Sequence, residues 1–172
     1  MKKYALWMVA VLGASALPAA AMAADSRSDV QVTLAVQRVV PGSDGKEVLA
    51  EAREIKPGDL LEYRAVYRNQ GKQAARDVMA VLPVPANSLS YVPASASPQR
   101  VWASLDGRTF EVAPLMRVVT LPNGKRESRP VPASEYRYLR WDLGDIKPGD
   151  QATVAARMRM ADVERQAAGG AK

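Results

Sequence analysis

The chain has 172 residues, a net charge of +6 from 24 Lys and Arg against 18 Asp and Glu, and neither His nor Cys. The lack of His and Cys excludes Ser-His and Cys-His nucleophile pairs, ordinary zinc and copper sites, and disulfides. The length is that of one domain, which must be stabilised by a packed core. We therefore predict no catalytic residues, no cofactor and no metal ion.

The first residues have the pattern of a cleaved secretory signal peptide. Lys2 and Lys3 give a positive start, and an uncharged apolar stretch follows at 4–17. Ala21-Met22-Ala23 then satisfies the small-x-small rule of signal peptidase, which predicts cleavage after Ala23, with Ala21 as the alternative. Loss of the two lysines lowers the net charge from +6 to +4. We expect a periplasmic or secreted protein with no transmembrane anchor after cleavage.

Residues 30–160 are predicted to form one β-sandwich domain, after a short leader at 24–29 and before a polar flexible tail at 161–172. Apolar and polar residues alternate through most of this range, which is typical of half-buried strands. The first predicted strand begins at Val30, and a short second strand spans about 48–52. The residues that share one face of the first strand are Val30, Val32, Leu34 and Val36.

Two copies of Lys-Pro-Gly-Asp, at 56–59 and 147–150, predict matching turns. Proline sets φ at the first central position of a type II turn, and glycine supplies the positive φ at the second. The first copy precedes an alternating strand, and the second lies between two alternating strands. The residues that share an apolar face on these strands are Leu61, Tyr63, Ala65 and Tyr67, then Leu139, Trp141 and Leu143, then Val154, Ala156, Met158 and Met160.

The middle of the chain is divided by turn residues. Pro83 ends a strand that begins near Val78, because proline cannot donate to a strand ladder. Asp106-Gly107 predicts a hairpin, and a strand at 116–121 leads into another turn. Residues 126–134 contain two prolines and several charges, so we predict a loop there.

These features resemble a bacterial conserved-repeat family called domain of unknown function 11, over about residues 30–160. The resemblance implies an immunoglobulin-like antiparallel sandwich of about seven to nine strands and no catalytic residues. Its members often occur as tandem repeats on large cell-surface proteins, whereas this chain carries one copy. Leu82 stands where the family commonly has Asp, so no polar role is carried over to it. The matching residues are Pro57-Gly58-Asp59, Tyr63, Asn69-Gln70-Gly71, Ala75, Val78, Pro85, Leu89, Tyr91-Val92, Trp141-Asp142-Leu143-Gly144-Asp145-Ile146 and Pro148-Gly149-Asp150.

A basic stretch at 117–140 holds six basic residues and only two acids, Glu127 and Glu135. A surface for an anionic partner is one interpretation, since the planar guanidinium of Arg pairs with phosphate in a bidentate manner. A solvated loop is the simpler interpretation. The six residues are Arg117, Lys125, Arg126, Arg129, Arg137 and Arg140.

Two tyrosines are candidates for an exposed aromatic patch. Tyr136 and Tyr138 share the face of Arg140, because side chains alternate along a strand. Trp141 lies on the opposite face and is predicted to belong to the core.

Together these patterns predict an exported, non-catalytic protein of the bacterial envelope that acts as a structural or protein-interaction module. Another envelope protein or a second copy of the chain would bind through strand faces or edges. The alternative is a soluble binder of an anionic glycolipid or polymer through the basic stretch. A third hypothesis is a carboxylate-based hydrolase of cell-wall sugars. Nucleic acid is not an expected partner of an exported chain with this mild charge.

Overall fold

The computed structural model describes residues 29–86 and 88–161. The predicted signal peptide and most of the predicted leader and tail lie outside these residues. Within them the chain forms eleven β-strands and one 3₁₀-helix, Ala133–Glu135. The strands are β1 (Val30–Pro41), β2 (Glu47–Glu51), β3 (Leu60–Asn69), β4 (Ala75–Pro83), β5 (Leu89–Tyr91), β6 (Trp102–Ser104), β7 (Glu111–Val112), β8 (Met116–Thr120), β9 (Arg126–Pro130), β10 (Tyr138–Ile146) and β11 (Gln151–Met160).

The strands form two packed antiparallel sheets and a separate hairpin. The five-stranded sheet has the order β2-β1-β3-β11-β5, and the four-stranded sheet has the order β4-β10-β6-β7. Strands β8 and β9 pair only with each other and are called the hairpin arm below. The predicted all-β antiparallel sandwich is therefore confirmed. The strand count exceeds the expected seven to nine because the short strands β5 and β7 and the hairpin arm add to it.

Both Lys-Pro-Gly-Asp turns form as predicted. Gly58 has φ 83° and Gly149 has φ 81°, the left-handed region that a type II turn requires. In each turn the Asp N–H donates to the Lys carbonyl oxygen at 3.0 Å. The first turn leads into β3. The second carries the chain from β10 in the four-stranded sheet to β11 in the five-stranded sheet, so these consecutive strands face each other across the sandwich.

The core lies between the two sheets and is centred on Trp141 of β10, which is 1% exposed. Its indole Nε1–H donates to the carbonyl oxygen of Pro98 at 3.0 Å, so the polar end of the ring is satisfied inside the protein. The prediction that Trp141 belongs to the core is confirmed, and Tyr67, on the apolar face of β3, is buried as well. The other large side chains that are less than 2% exposed are Leu61, Leu139, Met158, Val154 and Asn69.

Asn69 joins one end of the two sheets. It is 1% exposed at the end of β3, and its Nδ2 donates to the carbonyl oxygens of Gln73 at 2.7 Å and Ile146 at 2.8 Å. Its Oδ1 accepts a hydrogen bond from the N–H of Gly71 at 2.9 Å. Because Ile146 ends β10, this amide links the five-stranded sheet to the four-stranded one.

The predicted loop at 126–134 is wrong in its first half. Residues 126–130 form β9, which pairs with β8 from Arg126 opposite Thr120 to Pro130 opposite Met116. Its charges stay in solvent because every residue of β9 is exposed, and its proline lies at the strand end, where a missing donor is tolerated. Strand β5 was also missed, because three residues are too few for a pattern of period two.

Within the described ranges, no helix is both long enough and apolar enough to cross a membrane.

Candidate functional site

The first part of β1 lies at an open edge of the five-stranded sheet. Strand β3 pairs with one side of β1 from Val30 to Val39. On the other side, β2 pairs with β1 only from Gln37 to Pro41. Among the residues that the structure describes, no strand pairs with this side of residues 30–36. We call the position beside residues 30–36, in line with the end of β2, the β1 slot.

Two side chains of the slot face the core side of the sheet but are half exposed. Val32 lies opposite Tyr67, and Leu34 lies opposite Ala65. Directly opposed residues of an antiparallel pair point to the same face, and Tyr67 and Ala65 are buried in the core. Val32 is nevertheless 51% exposed and Leu34 is 53% exposed. The apolar face of β1 is therefore uncovered at Val32 and Leu34, whereas Val30 and Val36 of the same face pack against the core.

The backbone groups of the same residues point into the slot. The carbonyl oxygen of Asp29 accepts a hydrogen bond from the N–H of Gln70, next to β3, at 2.9 Å. At the other end, the N–H of Gly42 donates to the carbonyl oxygen of Lys46, next to β2. Because this direction alternates along a strand, even-numbered residues of β1 direct their N–H and C=O away from β3. In the slot these residues are Val30, Val32, Leu34 and Val36.

The edge along the slot lacks the features that usually prevent strands from pairing with one another. Charged side chains, prolines and irregular backbone protect edge strands from association. Residues 30–36 contain no charge, no proline and no glycine. By contrast, Glu47 and Glu51 protect β2, while β4 has Pro83 at its end and Asp77 at φ 51°. The β1 slot is thus an apolar, unprotected site for strand addition.

The six residues of the basic stretch fall into two groups. Arg117, Lys125, Arg126 and Arg129 lie on the hairpin arm, whereas Arg137 and Arg140 lie in or next to β10. Arg117 forms a bidentate ion pair with Glu135, with both N···O distances at 2.8 Å. Arg129 pairs with Glu127 at 3.1 Å. These two pairs neutralise part of the predicted basic surface.

The two arginines in or next to β10 are also engaged. Arg137 donates to the carbonyl oxygens of Ser134 at 2.8 Å and Tyr136 at 3.0 Å. The guanidinium of Arg140 lies 4.1 Å from the ring centre of Phe110, a cation–π contact. Four of the six predicted side chains therefore have contacts within the protein.

The predicted exposed aromatic patch is wrong. Tyr136 is only 3% exposed, its hydroxyl accepts a hydrogen bond from the N–H of Leu115 at 2.9 Å, and its ring stacks on Tyr91. Tyr138 is half-buried and covers the turn at Gly107, where an added Cβ would lie 2.8 Å from the Cε2 atom of the tyrosine ring. Both tyrosines thus serve packing and do not form a recognition surface.

A depression of about 580 Å³ lies on the outer face of the five-stranded sheet. Arg157 is one of its lining residues, with N···O distances of 2.6 Å to Glu47 and 3.4 Å to Glu62, and Glu62 also pairs with Arg64 at 2.6 Å. The hydrogen bond to Glu47 raises the pKa of Arg157. The four charges of the depression therefore pair with one another. Within the described part of the chain, no group of three or more acidic residues could hold a metal ion.

Comparison with known proteins gives no relative: no family model, no curated protein and no solved structure matches this chain. The resemblance to domain of unknown function 11 therefore stays a prediction.

Proposed function

We propose that the chain is an exported, non-catalytic protein-interaction module of the bacterial cell envelope, and that it binds its partner by strand addition at the β1 slot. One observation carries the proposal: Val32 and Leu34 are 51% and 53% exposed although they face the core side of their sheet. The same two residues direct their backbone N–H and C=O toward the unpaired edge. One extended segment would both cover these two side chains and pair with these backbone groups.

The chemistry of the slot indicates what kind of segment would bind. Strand addition gains affinity from main-chain hydrogen bonds and specificity from alternate side chains. Each such hydrogen bond contributes about 0.5–1.5 kcal/mol net, and apolar burial adds about 25 cal/mol per Å². A segment of about seven residues, or about 23 Å, spans the slot. It would be uncharged, with apolar residues at every second position to lie beside Val32 and Leu34.

The envelope location and the lack of catalysis have separate support. Export rests on the signal-peptide pattern at the start of the chain. The non-catalytic role rests on a composition without His and Cys and on the mutual pairing of the charges that line the depression.

Charging the slot is expected to abolish partner binding. The mature chain from Ala24, immobilised, is compared with its Val32→Lys/Leu34→Lys variant in capture from envelope extract, washed at high salt, with retained proteins quantified by mass spectrometry. We expect retention of the partner to fall about tenfold or more, which corresponds to about 1.4 kcal/mol, because lysine on an edge opposes strand pairing. Apolar and backbone contacts should survive the salt wash.

Val118→Lys is the matched control, since Val118 on the hairpin arm is 58% exposed and lies away from the slot. It should retain the partner at the wild-type level. Equal retention by the wild type and the slot variant would refute strand addition at this edge.

A second candidate is binding of an anionic envelope ligand through the hairpin arm. It is favoured by Lys125 and Arg126, which form no ion pair within the described residues. With vesicles that contain an anionic glycolipid, this candidate predicts binding that weakens steeply with salt and that Lys125→Ala/Arg126→Ala removes. Arg53→Ala, at an exposed pair elsewhere, is the control. Salt-independent binding would contradict it.

A further inference from the structure

The strand that borders the slot has the properties of the segment that would fill it. Residues 30–36 are uncharged and apolar at every second position, and they form a regular strand without a register shift. The slot extends along these same residues, up to Gln37, where β2 begins to pair with β1. Strand and slot are therefore equal in length and alike in chemistry.

We propose that the occupant of the β1 slot is the β1 strand of a second copy of this chain, paired antiparallel about a two-fold axis at Thr33. This inference rests on the proposed function of the slot as a site of strand addition. The two five-stranded sheets would then join into one continuous sheet across the dimer. Such a contact is isologous: the same edge serves both copies, and the assembly closes as a dimer.

The register follows from the direction of the backbone groups. Only even-numbered residues of β1 offer N–H and C=O to the slot, so even residues of one copy must lie opposite even residues of the other. With the axis at Thr33, Val32 of each copy lies opposite Leu34 of the other, and Val30 lies opposite Val36. These apolar cross-strand pairs all lie on the core side of the sheet, where such pairs stabilise a sheet.

Neighbouring registers fit less well. A shift by one residue places even-numbered residues of one copy opposite odd-numbered residues of the other. The odd-numbered residues already bond to β3, so the hydrogen-bond ladder between the two copies could not form. A shift that places Leu34 opposite itself sets Val30 opposite Arg38, a position where β2 already pairs with β1. The axis at Thr33 keeps all of residues 30–36 within the slot, and only Asp29, which precedes the strand, lies opposite Gln37, which pairs with the end of β2.

A single introduced cysteine tests the register, since the chain has none of its own. At the proposed axis the two Thr33 residues form a non-hydrogen-bonded pair with Cα atoms about 4.5 Å apart, within the range for a disulfide of about 4.4–6.8 Å. Thr33 is exposed on the outer face of the sheet. We expect Thr33→Cys in the mature chain to form a disulfide-linked dimer under mild oxidation, and the disulfide to be lost when Val32→Lys/Leu34→Lys is added.

Gln31→Cys is the matched control. In this register the two copies of residue 31 are four positions apart along the strands, or about 13 Å, so this variant should crosslink at least about tenfold more slowly. A mixture of Gln31→Cys and Ala35→Cys chains should form the mixed disulfide, because these residues lie opposite each other. Equal rates for Gln31→Cys and Thr33→Cys would indicate random collision and overturn the proposal.

Hydrogen exchange gives a readout without substitution. The amides of Val32 and Leu34 point into the slot, so their exchange should slow by about tenfold or more as the concentration of the wild-type mature chain is raised. The amides of Gln31, Thr33 and Ala35 bond to β3 and should be protected at every concentration. A chain that sediments as a monomer and shows no such protection would overturn self-association. In that case capture of another protein that depends on Val32 and Leu34 would still support strand addition, so the two proposals fail separately.

Discussion

Replacing Trp141 by alanine is expected to lower the free energy of unfolding by about 3–5 kcal/mol. Trp141 is 1% exposed at the centre of the core, and its indole N–H satisfies the carbonyl oxygen of Pro98. The variant would leave a cavity and an unpaired buried carbonyl, in a domain whose total stability is of the order of 5–15 kcal/mol. Urea unfolding, followed by circular dichroism, measures the loss as a lower midpoint at an unchanged slope.

Trp102→Ala is the matched control for this prediction, because it makes the same substitution at a less buried position. Trp102 lies in β6, is only partly buried, and contacts the guanidinium of Arg100 at 5.2 Å from the ring centre. It should cost about 1–2 kcal/mol, because less apolar area leaves contact with the protein. If both variants lost the same stability, Trp141 would not be the centre of the core.

Asn69→Ala is expected to cost about 3 kcal/mol. The substitution removes two donated hydrogen bonds and one accepted one, and each buried polar group left without a partner costs about 1–3 kcal/mol. The loss of stability should exceed that of truncating an exposed side chain, because the buried carbonyl oxygen of Ile146 would lose the hydrogen bond that Asn69 donates. Thermal and urea unfolding of the mature chain measure it.

Asn123→Ala gives the comparison in solvent. The Oδ1 atom of Asn123 accepts a hydrogen bond from the N–H of Lys125 at 3.0 Å in the exposed turn of the hairpin arm. Since water replaces the lost partner there, the cost should stay below about 1 kcal/mol. Similar losses at Asn69 and Asn123 would mean that Asn69 does not link the two sheets.

Turns and faces were well predicted from the sequence. The two Lys-Pro-Gly-Asp motifs identified their turns because glycine is the residue that readily takes the φ they require. The alternation in β3, β10 and β11 identified which side chains point inward, and Trp141 was assigned to the core on that basis. These features are local, so neighbouring residues are enough to reveal them.

Whether the apolar face of a strand is buried could not be predicted from the alternation alone. Period two tells which side chains of β1 share a face, but the extent of the opposite sheet decides whether that face is buried. Val32 and Leu34 are exposed although they share the face of Val30 and Val36, which pack against the core. Their exposure, which defines the β1 slot, depends on contacts between distant parts of the chain.

Tyr136 shows a second limit of the pattern. The prediction extended the alternation of β10 backward to Tyr136, but the strand begins at Tyr138. Before that point a 3₁₀-helix redirects the backbone, and the ring of Tyr136 turns inward against Tyr91. The alternation of side chains therefore predicts which face a residue lies on only within the strand itself.

The order of strands in the larger sheet has a consequence for how the chain reaches its folded state. Strand β3 pairs with β1 on one side and with β11 on the other, so its neighbours come from nearly opposite ends of the described sequence. Sheets closed by such distant partners form slowly, on a scale of milliseconds to seconds. Until β11 has been synthesised, β3 has an open edge, and the core lacks Val154, Ala156 and Met158. Nascent or truncated chains that end before Gln151 would therefore be the species most prone to aggregation.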